Sequence, residues 1–358
     1  MSILDKRTLH IHYIMTHGIG DVIMTIPVLK KIGSKRSVDF SITVNTETEA
    51  AVIRELCPDI RLSFFNFGEI LNKSGYLIAV IKLIKYIRSF SPDIVLTQFD
   101  ITSYKSSIVS FLSGAKFRVG WKGWFSFLNT HTLIPSGLHK LEENLKVLQV
   151  LNIAISKDDI KYPVYNPDIN KINQPMLQSL LTSDFVNIAI GPGSKELDKH
   201  KRWPKENFSL LINKFLDNNK NYNIILLGNN HEKNLCADIA NNIKDKQKIW
   251  NLAGQVSITE LITILGFVDL TITNCNGISH LACVASNHII GLYGPTNYKI
   301  TGPISDKFIP VTADLECSPC FSRDYETGCG NPICMERIMV DDVYAKAISL
   351  LSHLSTVD

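Results

Sequence analysis

The chain has 358 residues, of which 45% are hydrophobic and 20% are charged, and its formal net charge is +3. This composition is typical of a soluble globular protein, and the length suits two α/β domains better than one. The small net charge argues against a nucleic-acid binder, and no apolar run approaches the ~18 residues of a membrane span. The N-terminal residues lack a signal-peptide pattern, which predicts a cytoplasmic protein whose eight cysteines are mostly thiols or metal ligands.

The first half of the chain alternates short apolar runs with helical patterns, which predicts one α/β domain. The predicted strands cover residues 9–15, 40–44, 61–65, 93–99 and 117–121. The clearest helical pattern spans residues 76–90, and Pro27 is expected to kink or reset the helix that follows the first strand.

A stretch rich in Asn, Asp and Pro at residues 152–175 predicts a link, after which the same alternation restarts. Pro204 is expected at a first helical position, where its missing N–H has no partner to lose. We therefore predict two Rossmann-like domains, 1–170 and 171–340, followed by a C-terminal helix within 341–358. Tandem sheets of this kind are expected to enclose an interdomain cleft that binds a ligand.

The stretch 270–303 has the most informative pattern: strand, polar turn, short helix, strand and a Gly-Pro-Thr turn. This is a βαβ crossover, and Gly277 ends a turn that opens a helix. Free backbone N–H groups at such a place bind anions. His280 is expected in the first turn of that helix and Thr296 in the next loop, so the pattern predicts a phosphate site.

A second glycine-containing loop precedes a basic cluster at residues 191–208. The amides of Gly193 and Ser194 could approach a phosphate, and Lys201 or Arg202 could neutralise it. The alternative is a solvated lysine-rich loop without a ligand.

Two carboxylates follow predicted strands. Asp21 comes after the turn of Gly18 and Gly20 and could act as a general base towards a hydroxyl, or could cap the next helix. Glu232 suits the hydroxyl pair of a ribose, or could help the macrodipole at a helix start. A dinucleotide fingerprint is incomplete at both glycine turns, which argues against a dehydrogenase.

Four cysteines lie close together in the sequence with the spacing C-x2-C-x8-C-x4-C: Cys317, Cys320, Cys329 and Cys334. Four thiolates in one short loop can bind structural zinc or iron. Free thiols and a local disulfide remain as alternatives, and a catalytic metal is not expected because no ligand position would stay open.

Taken together, several motifs resemble glycosyltransferase family nine, the ADP-heptose-dependent heptosyltransferases of lipopolysaccharide core assembly and their relatives. The motifs are, in order, GIGDVIMTIPVL, GPGS with KRWPKENFSLL, LLGNNHE, LAGQVSITELITIL, TNCNGISHLACVA with GLYGPT, and CSPC with its two later cysteines. The resemblance implies a bacterial protein with a GT-B fold, in which the first domain takes the acceptor and the second takes the nucleotide sugar.

The resemblance also implies roles for individual residues. Asp21 matches the expected base, with Gly18 and Gly20 on the acceptor side, and Lys201 matches the lysine that contacts the donor diphosphate. The other implied donor-binding residues are Gly193, Ser194, Glu232 at the ribose, Val256 at the adenine, and Asn276, Gly277 and His280 in the diphosphate turn. Cys275 stands where the family usually has an aspartate, and a thiol cannot bind two sugar hydroxyls as a carboxylate does. The donor sugar is therefore left open.

The function implied is inverting, metal-independent transfer of a sugar, with ADP-heptose as the expected donor, onto a lipopolysaccharide-type or other glycan or glycolipid acceptor. No cofactor is expected to be required for catalysis. Peripheral contact with the inner membrane through the basic, apolar helix of residues 76–90 is a further hypothesis. A nucleotide-sugar epimerase of the same fold and a non-catalytic nucleotide-binding module remain as alternatives.

Overall fold

A computed structural model describes residues 8–15, 18–35, 37–99, 103–218, 221–320 and 331–354. The chain divides into two compact units, Met1–Pro163 and Val164–Asp358. Among the described residues, each unit holds a six-stranded parallel sheet with helices, which confirms the expected α/β class. No helix in these ranges is long and apolar enough to cross a membrane.

The sheet of the first unit has the strand order β3-β2-β1-β4-β5-β6, and all of its pairings are parallel. Its strands are β1 (Thr8–Ile14), β2 (Ser37–Val44), β3 (Leu62–Asn66), β4 (Ile94–Thr97), β5 (Phe117–Trp121) and β6 (His131–Leu133). Its helices are α1 (Ile19–Ile23), α2 (Ile26–Lys35), α3 (Glu47–Leu56), α4 (Phe67–Ser74), α5 (Tyr76–Ser89), α6 (Ser103–Leu112) and α7 (Lys140–Val150).

Pro27 does reset the helix after β1, as predicted. Helix α1 ends at Ile23, a turn follows, and α2 begins at Ile26 with the proline at its second position. The missing N–H of a proline removes no intrahelical hydrogen bond there, so the chain changes direction without a broken helix interior.

The sheet of the second unit has the order β12-β11-β10-β7-β8-β9, again with parallel pairings. Its strands are β7 (Val186–Gly191), β8 (Tyr222–Leu226), β9 (Ile249–Asn251), β10 (Leu270–Asn274), β11 (His288–Leu292) and β12 (Phe308–Val311). Its helices are α8 (Pro175–Leu181), α9 (Lys205–Leu216), α10 (Lys233–Asn241), α11 (Ile258–Leu265), α12 (Gly277–Val284), α13 (Tyr298–Thr301), α14 (Ile333–Glu336) and α15 (Val340–Leu354).

The position predicted for Pro204 was wrong by one residue. Pro204 is the N-cap of α9, with φ −52° and ψ 134°, and the helix begins at Lys205. The extended ψ keeps the proline outside the helix, while its carbonyl still accepts hydrogen bonds from the N–H groups of Asn207 and Phe208.

The side chain of a buried histidine on β1 contacts two hydroxyl groups of β2. The His12 side chain is fully buried, and its two ring nitrogens lie 2.8 Å from Ser41 Oγ and 2.9 Å from Thr43 Oγ1. Burial disfavours the imidazolium and lowers the pKa of His12 to about 3. The neutral ring is therefore part of the native sheet.

We expect the first unit to lose stability as the pH falls below about 6.5, the ordinary pKa of the unfolded histidine. Below that pH the unfolded chain binds a proton at His12, whereas the folded protein binds it only below a pH of about 3. The free energy of unfolding therefore falls by roughly 1.4 kcal/mol per pH unit in this range. Between pH 7 and pH 5, the wild type should lose about 2 kcal/mol more than His12→Gln in urea unfolding. His10→Gln, on the same strand but partly exposed, serves as the control; equal losses in wild type and His12→Gln would contradict the prediction.

Candidate active site

Three loops of the second unit lie side by side because of the strand order. Strand β7 pairs with β10 on one side and with β8 on the other, and all three strands run parallel. Their carboxyl ends therefore meet at one edge of the sheet, where ligands of open α/β sheets bind. The predicted residues Gly193, Ser194, Glu232, Asn276 and Gly277 all follow these strands.

The turn after β10 is tied to the loop after β7 by Asn276. Its side-chain oxygen accepts from the N–H of Ile278 at 2.9 Å and so caps α12. Its side-chain nitrogen donates to the carbonyl oxygen of Gly193 at 2.9 Å. One amide therefore both caps the helix and fixes the neighbouring loop that contains Gly193 and Ser194, which we call the glycine loop.

A second bridge between the same loops comes from Asn274, which the sequence analysis did not single out. Its buried amide donates to the carbonyl of Pro192 at 2.7 Å and accepts from the N–H of Trp203 at 3.1 Å. The Trp203 indole N–H in turn donates to the carbonyl of Ile338 at 2.9 Å. An Asn at a strand end looks like an ordinary turn residue, and only the fold brings its partners, 82 and 71 positions away, to it.

Glu232 packs against Gly193 and is almost fully buried. Its carboxylate accepts from the N–H of Asn229 at 2.8 Å. Burial raises the pKa of the Glu232 carboxyl, and that hydrogen bond opposes the increase. A Cβ atom on residue 193 would lie 1.8 Å from Glu232 Oε1, so only glycine allows this approach. Gly193 is thus required for space rather than for an unusual φ.

The basic residues after this loop have different partners. The Arg202 guanidinium donates to the Ser194 carbonyl at 2.7 Å and to its hydroxyl oxygen at 3.0 Å. The Lys201 ammonium pairs with Asp198 at 3.0 Å, and its side chain is only 10% exposed. Arg202 therefore holds the shape of the loop, and Lys201 is not part of a fully solvated lysine-rich segment.

The remaining residues predicted for the donor lie at the same edge or in the helix that starts there. Gly277 is the first residue of α12, and His280 is buried in the same helix. Val256 is half-buried in the loop after β9, which stays beside the β8 loop because the N–H of Gly254 donates to the carbonyl of Gly228 at 2.8 Å. The sheet order brings together residues that are as much as 87 positions apart in the sequence.

In the first unit, Asp21 lies in the first turn of α1, just after β1. Its backbone carbonyl accepts from the Gln98 side chain at 2.7 Å and from the Thr25 hydroxyl at 3.0 Å. Its carboxylate accepts from the Lys140 ammonium at 3.0 Å, and both side chains are about one-fifth exposed, at 22% and 19%. The N-cap of α1 is Gly18 rather than Asp21.

Gln98 and Lys140 were missed by the sequence analysis. Gln98 directly follows β4, which pairs with β1, and Lys140 opens α7. They lie 77 and 119 positions from Asp21, so no local pattern could connect them. For Gln98, the available sequence signal was its position as a polar residue directly after a buried strand.

The cysteine segment is only partly described. Cys317 and Cys320 are exposed and Cys334 is buried, while Cys329 falls outside the described residues. Within the ranges that the structure covers, no three His, Cys, Asp or Glu side chains lie close enough together to hold a metal ion. The predicted zinc or iron site therefore stays a prediction.

Comparison with known proteins identifies related chains. The family model of glycosyltransferase family 9 (heptosyltransferase) matches residues 80–329. Lipopolysaccharide heptosyltransferase 2 of Escherichia coli strain K12 is 25% identical over 215 residues, which are 57% of this chain and 61% of that relative. The aligned part of the chain thus spans less than two thirds of that curated relative.

Solved structures share the fold. The structure of E. coli ADP-heptose lps heptosyltransferase II aligns with a TM-score of 0.72 at 18% identity. The alignment covers 97% of this chain and 100% of the E. coli chain. The iron-containing dodecameric glycosyltransferase TibC from enterotoxigenic E. coli aligns with a TM-score of 0.58 at 11% identity, and the alignment covers 98% of this chain and 77% of the TibC chain. At these identities the likeness concerns the fold alone, and it confirms the expected GT-B class.

We expect Gly193→Ala to lower the free energy of unfolding by about 1–3 kcal/mol, because the new methyl group would overlap the Glu232 carboxylate. Glu232→Ala removes the obstacle, so the double variant should be less destabilised than the sum of the two single variants. Urea unfolding of all four proteins measures this coupling. Gly33→Ala, whose Cβ would meet only the flexible Ile60 side chain at 3.2 Å, is the control, and strict additivity would contradict the prediction.

Proposed function

This chain belongs to glycosyltransferase family 9, and from that membership we propose that it transfers a sugar from ADP-heptose onto a lipopolysaccharide-type acceptor. One observation in particular supports a nucleotide-sugar site. The loops after β7, β8 and β10 are fixed to one another by Asn276 and Asn274, and Gly193 leaves just enough room for the buried Glu232 carboxylate. This arrangement offers backbone amides to a diphosphate and a carboxylate to a ribose at one sheet edge.

Within the proposed donor site, the positive charge would come from Lys201. The nearly buried ammonium pairs with Asp198, and we propose that a bound diphosphate shares or displaces that carboxylate. Amides near Gly193, Ser194 and Gly277 would add hydrogen bonds as charge grows on the departing diphosphate, a contribution of several kcal/mol in comparable sites. These groups would supply the stabilisation without a divalent ion.

The proposed chemistry is a single displacement. The acceptor hydroxyl oxygen forms a bond to the anomeric carbon, the bond from that carbon to the diphosphate oxygen breaks, and Asp21 takes the hydroxyl proton. Lys140 would orient the carboxylate, and the hydrogen bond from Gln98 to the Asp21 carbonyl would fix the backbone that carries it. The bonding electrons leave with the nucleoside diphosphate, and the anomeric configuration inverts.

The proposed donor sugar follows from the similarity to heptosyltransferases. Cys275, which is partly exposed at the turn before α12, replaces a residue that would bind sugar hydroxyls bidentately. The nucleotide part of the proposed donor is supported by Glu232 and the glycine loop, whereas heptose is supported by family membership.

We also propose a structural zinc or iron centre on the four-cysteine segment, separate from the transfer chemistry. The spacing of Cys317, Cys320, Cys329 and Cys334 supports it, and the more distant relative TibC contains iron. Elemental analysis of the purified full chain tests the proposal, which fails if neither metal is present.

Different variants should abolish donor binding and sugar transfer. We expect ADP to raise the melting temperature of the wild type, since a ligand at about a hundred times its Kd adds about 2.7 kcal/mol of stability. Lys201→Ala should abolish this shift, whereas Lys246→Ala, an exposed lysine of the same unit, should keep it. A shift with UDP or GDP but not ADP would exclude ADP-heptose, and no shift with any nucleotide would exclude the donor site.

Asp21→Asn should keep the ADP shift and lower transfer about 10²–10⁴-fold, the usual effect of removing a general base. Asp159→Asn is the matched control, because Asp159 of the same unit also pairs with a lysine, Lys31, at 2.8 Å. Transfer is measured with ADP-heptose and a lipopolysaccharide-core acceptor in the presence of EDTA. Conversion of the donor alone would indicate the epimerase, and undiminished function of Asp21→Asn would indicate a binding module.

A further inference from the structure

Most of the large apolar side chains that are exposed in the described residues lie in the first unit, between residues 76 and 138. Six of them define what we call the apolar face: Leu77, Ile78 and Ile81 on α5, Phe111 on α6, and Trp124 and Phe127 in the segment 122–130 that joins β5 to β6. Three are more than 70% exposed: Leu77 at 73%, Trp124 at 82% and Phe127 at 78%. Such a concentration on a monomer marks an interaction surface rather than scattered surface residues.

Helices α5 and α6 are joined at both ends, so their exposed residues belong to one surface. The Lys105 ammonium lies 5.1 Å from the centre of the Tyr76 ring. At the other end, the Arg88 guanidinium donates to the carbonyl of Leu112 at 2.8 Å.

The segment 122–130 packs onto α6 and extends the same surface. The Arg118 guanidinium lies 5.7 Å from the centre of the Phe111 ring and donates to the carbonyl of Leu128 at 2.9 Å. The Asn129 amide donates to the Ser107 hydroxyl at 3.2 Å. The three elements that carry the apolar face are therefore packed as neighbours: α5 contacts α6, and α6 contacts the segment 122–130.

The sequence of α5 explains why apolar residues stay outside. Ala79, Leu83 and Ile87, spaced by four, are buried, and Leu83 and Ile87 belong to a core cluster with residues of β1, β3 and β4. Leu77 and Ile81 repeat at the same spacing on another side of the helix, and Lys85 continues that row. The helix is thus apolar towards both the core and the outside, with cations at its later turns.

The charge around the apolar face is strongly positive. Residues 76–140 contain eight lysines and arginines and two aspartates, a formal charge of +6, whereas the whole chain has +3. One of the eight cations, Lys140, pairs with Asp21 and does not belong to this surface. Of the two aspartates, Asp93 is buried and Asp100 falls outside the described residues. Lys82, Lys85 and Lys122 are exposed beside the apolar side chains.

We propose that the apolar face docks on an anionic phospholipid bilayer, with Trp124 and Phe127 at the level of the headgroups and Lys82 and Lys85 on lipid phosphates. The amphipathic ring of tryptophan prefers the membrane interface, and phenylalanine inserts at the boundary between headgroups and acyl chains. Lysine stems lie along apolar surface while their ammonium groups reach the phosphates. A soluble protein partner would have to be both anionic and apolar over the same surface. An anionic bilayer has this combination everywhere, which is why we favour it.

This docking deepens the proposed function, on which its biological meaning rests. Helix α5 begins after β3 and α4, at the carboxyl edge of the sheet where Asp21 follows β1. Leu77 and Ile78 in its first turn are therefore at the edge that carries the proposed base. An acceptor held in the bilayer by its lipid would present its sugar hydroxyls close to that edge.

The test is co-sedimentation of the full chain with vesicles of phosphatidylcholine alone and of phosphatidylcholine with phosphatidylglycerol. We expect binding only to the anionic vesicles, weakened by salt. The double variants Trp124→Ala/Phe127→Ala and Lys82→Gln/Lys85→Gln should each lower the partition coefficient at least about tenfold, since one lysine near an anionic surface contributes about fivefold. The matched controls in the second unit, Leu210→Ala/Met339→Ala and Lys244→Gln/Lys246→Gln, should bind as the wild type does.

Vesicle binding needs neither donor nor acceptor, so its result is independent of the transferase proposal. If the proposed function also holds, the face variants should keep transfer to a delipidated, soluble acceptor and lose it on acceptor embedded in vesicles. Absence of wild-type binding to anionic vesicles, or equal binding by the face variants, would overturn the proposal. Self-association of the wild type in sedimentation velocity that disappears in Trp124→Ala/Phe127→Ala, without vesicle binding, would assign the face to a second copy of the chain instead.

Discussion

The structure of the second unit depends on the hydrogen bonds that join the end of β10 to the loop after β7. The Thr273 hydroxyl donates to the carbonyl of Gly191 at 2.8 Å, and the amides of Asn274 and Asn276 donate to the carbonyls of Pro192 and Gly193. These groups are largely buried, so each lost partner would leave an unsatisfied polar atom at a cost of about 1–3 kcal/mol. The position of the glycine loop, and with it the contact with Glu232, follows from these bonds.

In both units, a side chain near the end of one strand holds the backbone that follows the neighbouring strand. In the first unit, a side chain from the loop after β4 holds the backbone that follows β1, through the bond from Gln98 to the Asp21 carbonyl. In the second, side chains at the end of β10 hold the loop after β7. In both, a parallel neighbour supplies the partner, because parallel strands end at the same edge. Of the two candidate carboxylates, Asp21 is thereby held through its own backbone, and Glu232 packs against the loop that is held.

The proposed activities divide between the units in a chemically consistent way. Residues suited to a nucleoside diphosphate belong to the second unit, and the proposed base and the apolar face belong to the first. The positive charge of residues 76–140 exceeds that of the whole chain, so the rest of the protein is slightly acidic. Among the described residues, most of the large exposed apolar side chains lie in this cationic stretch, which favours docking of this surface on an anionic bilayer.

Local patterns sufficed for most of the strands, for α5 and for the motifs of the family, because hydrophobic periodicity and glycine turns are properties of neighbouring residues. Strand β5 begins and ends at the predicted residues, whereas the short edge strands β6 and β12 were missed, since three or four residues show no clear period. The motifs could also indicate Asp21, Lys201 and Glu232 as candidates. The contacts that position them came only from the fold. Lys140 reaches Asp21 across 119 positions, and Asn274 reaches Pro192 in the loop before Lys201 across 82 positions. No local sequence pattern encodes contacts between residues so far apart.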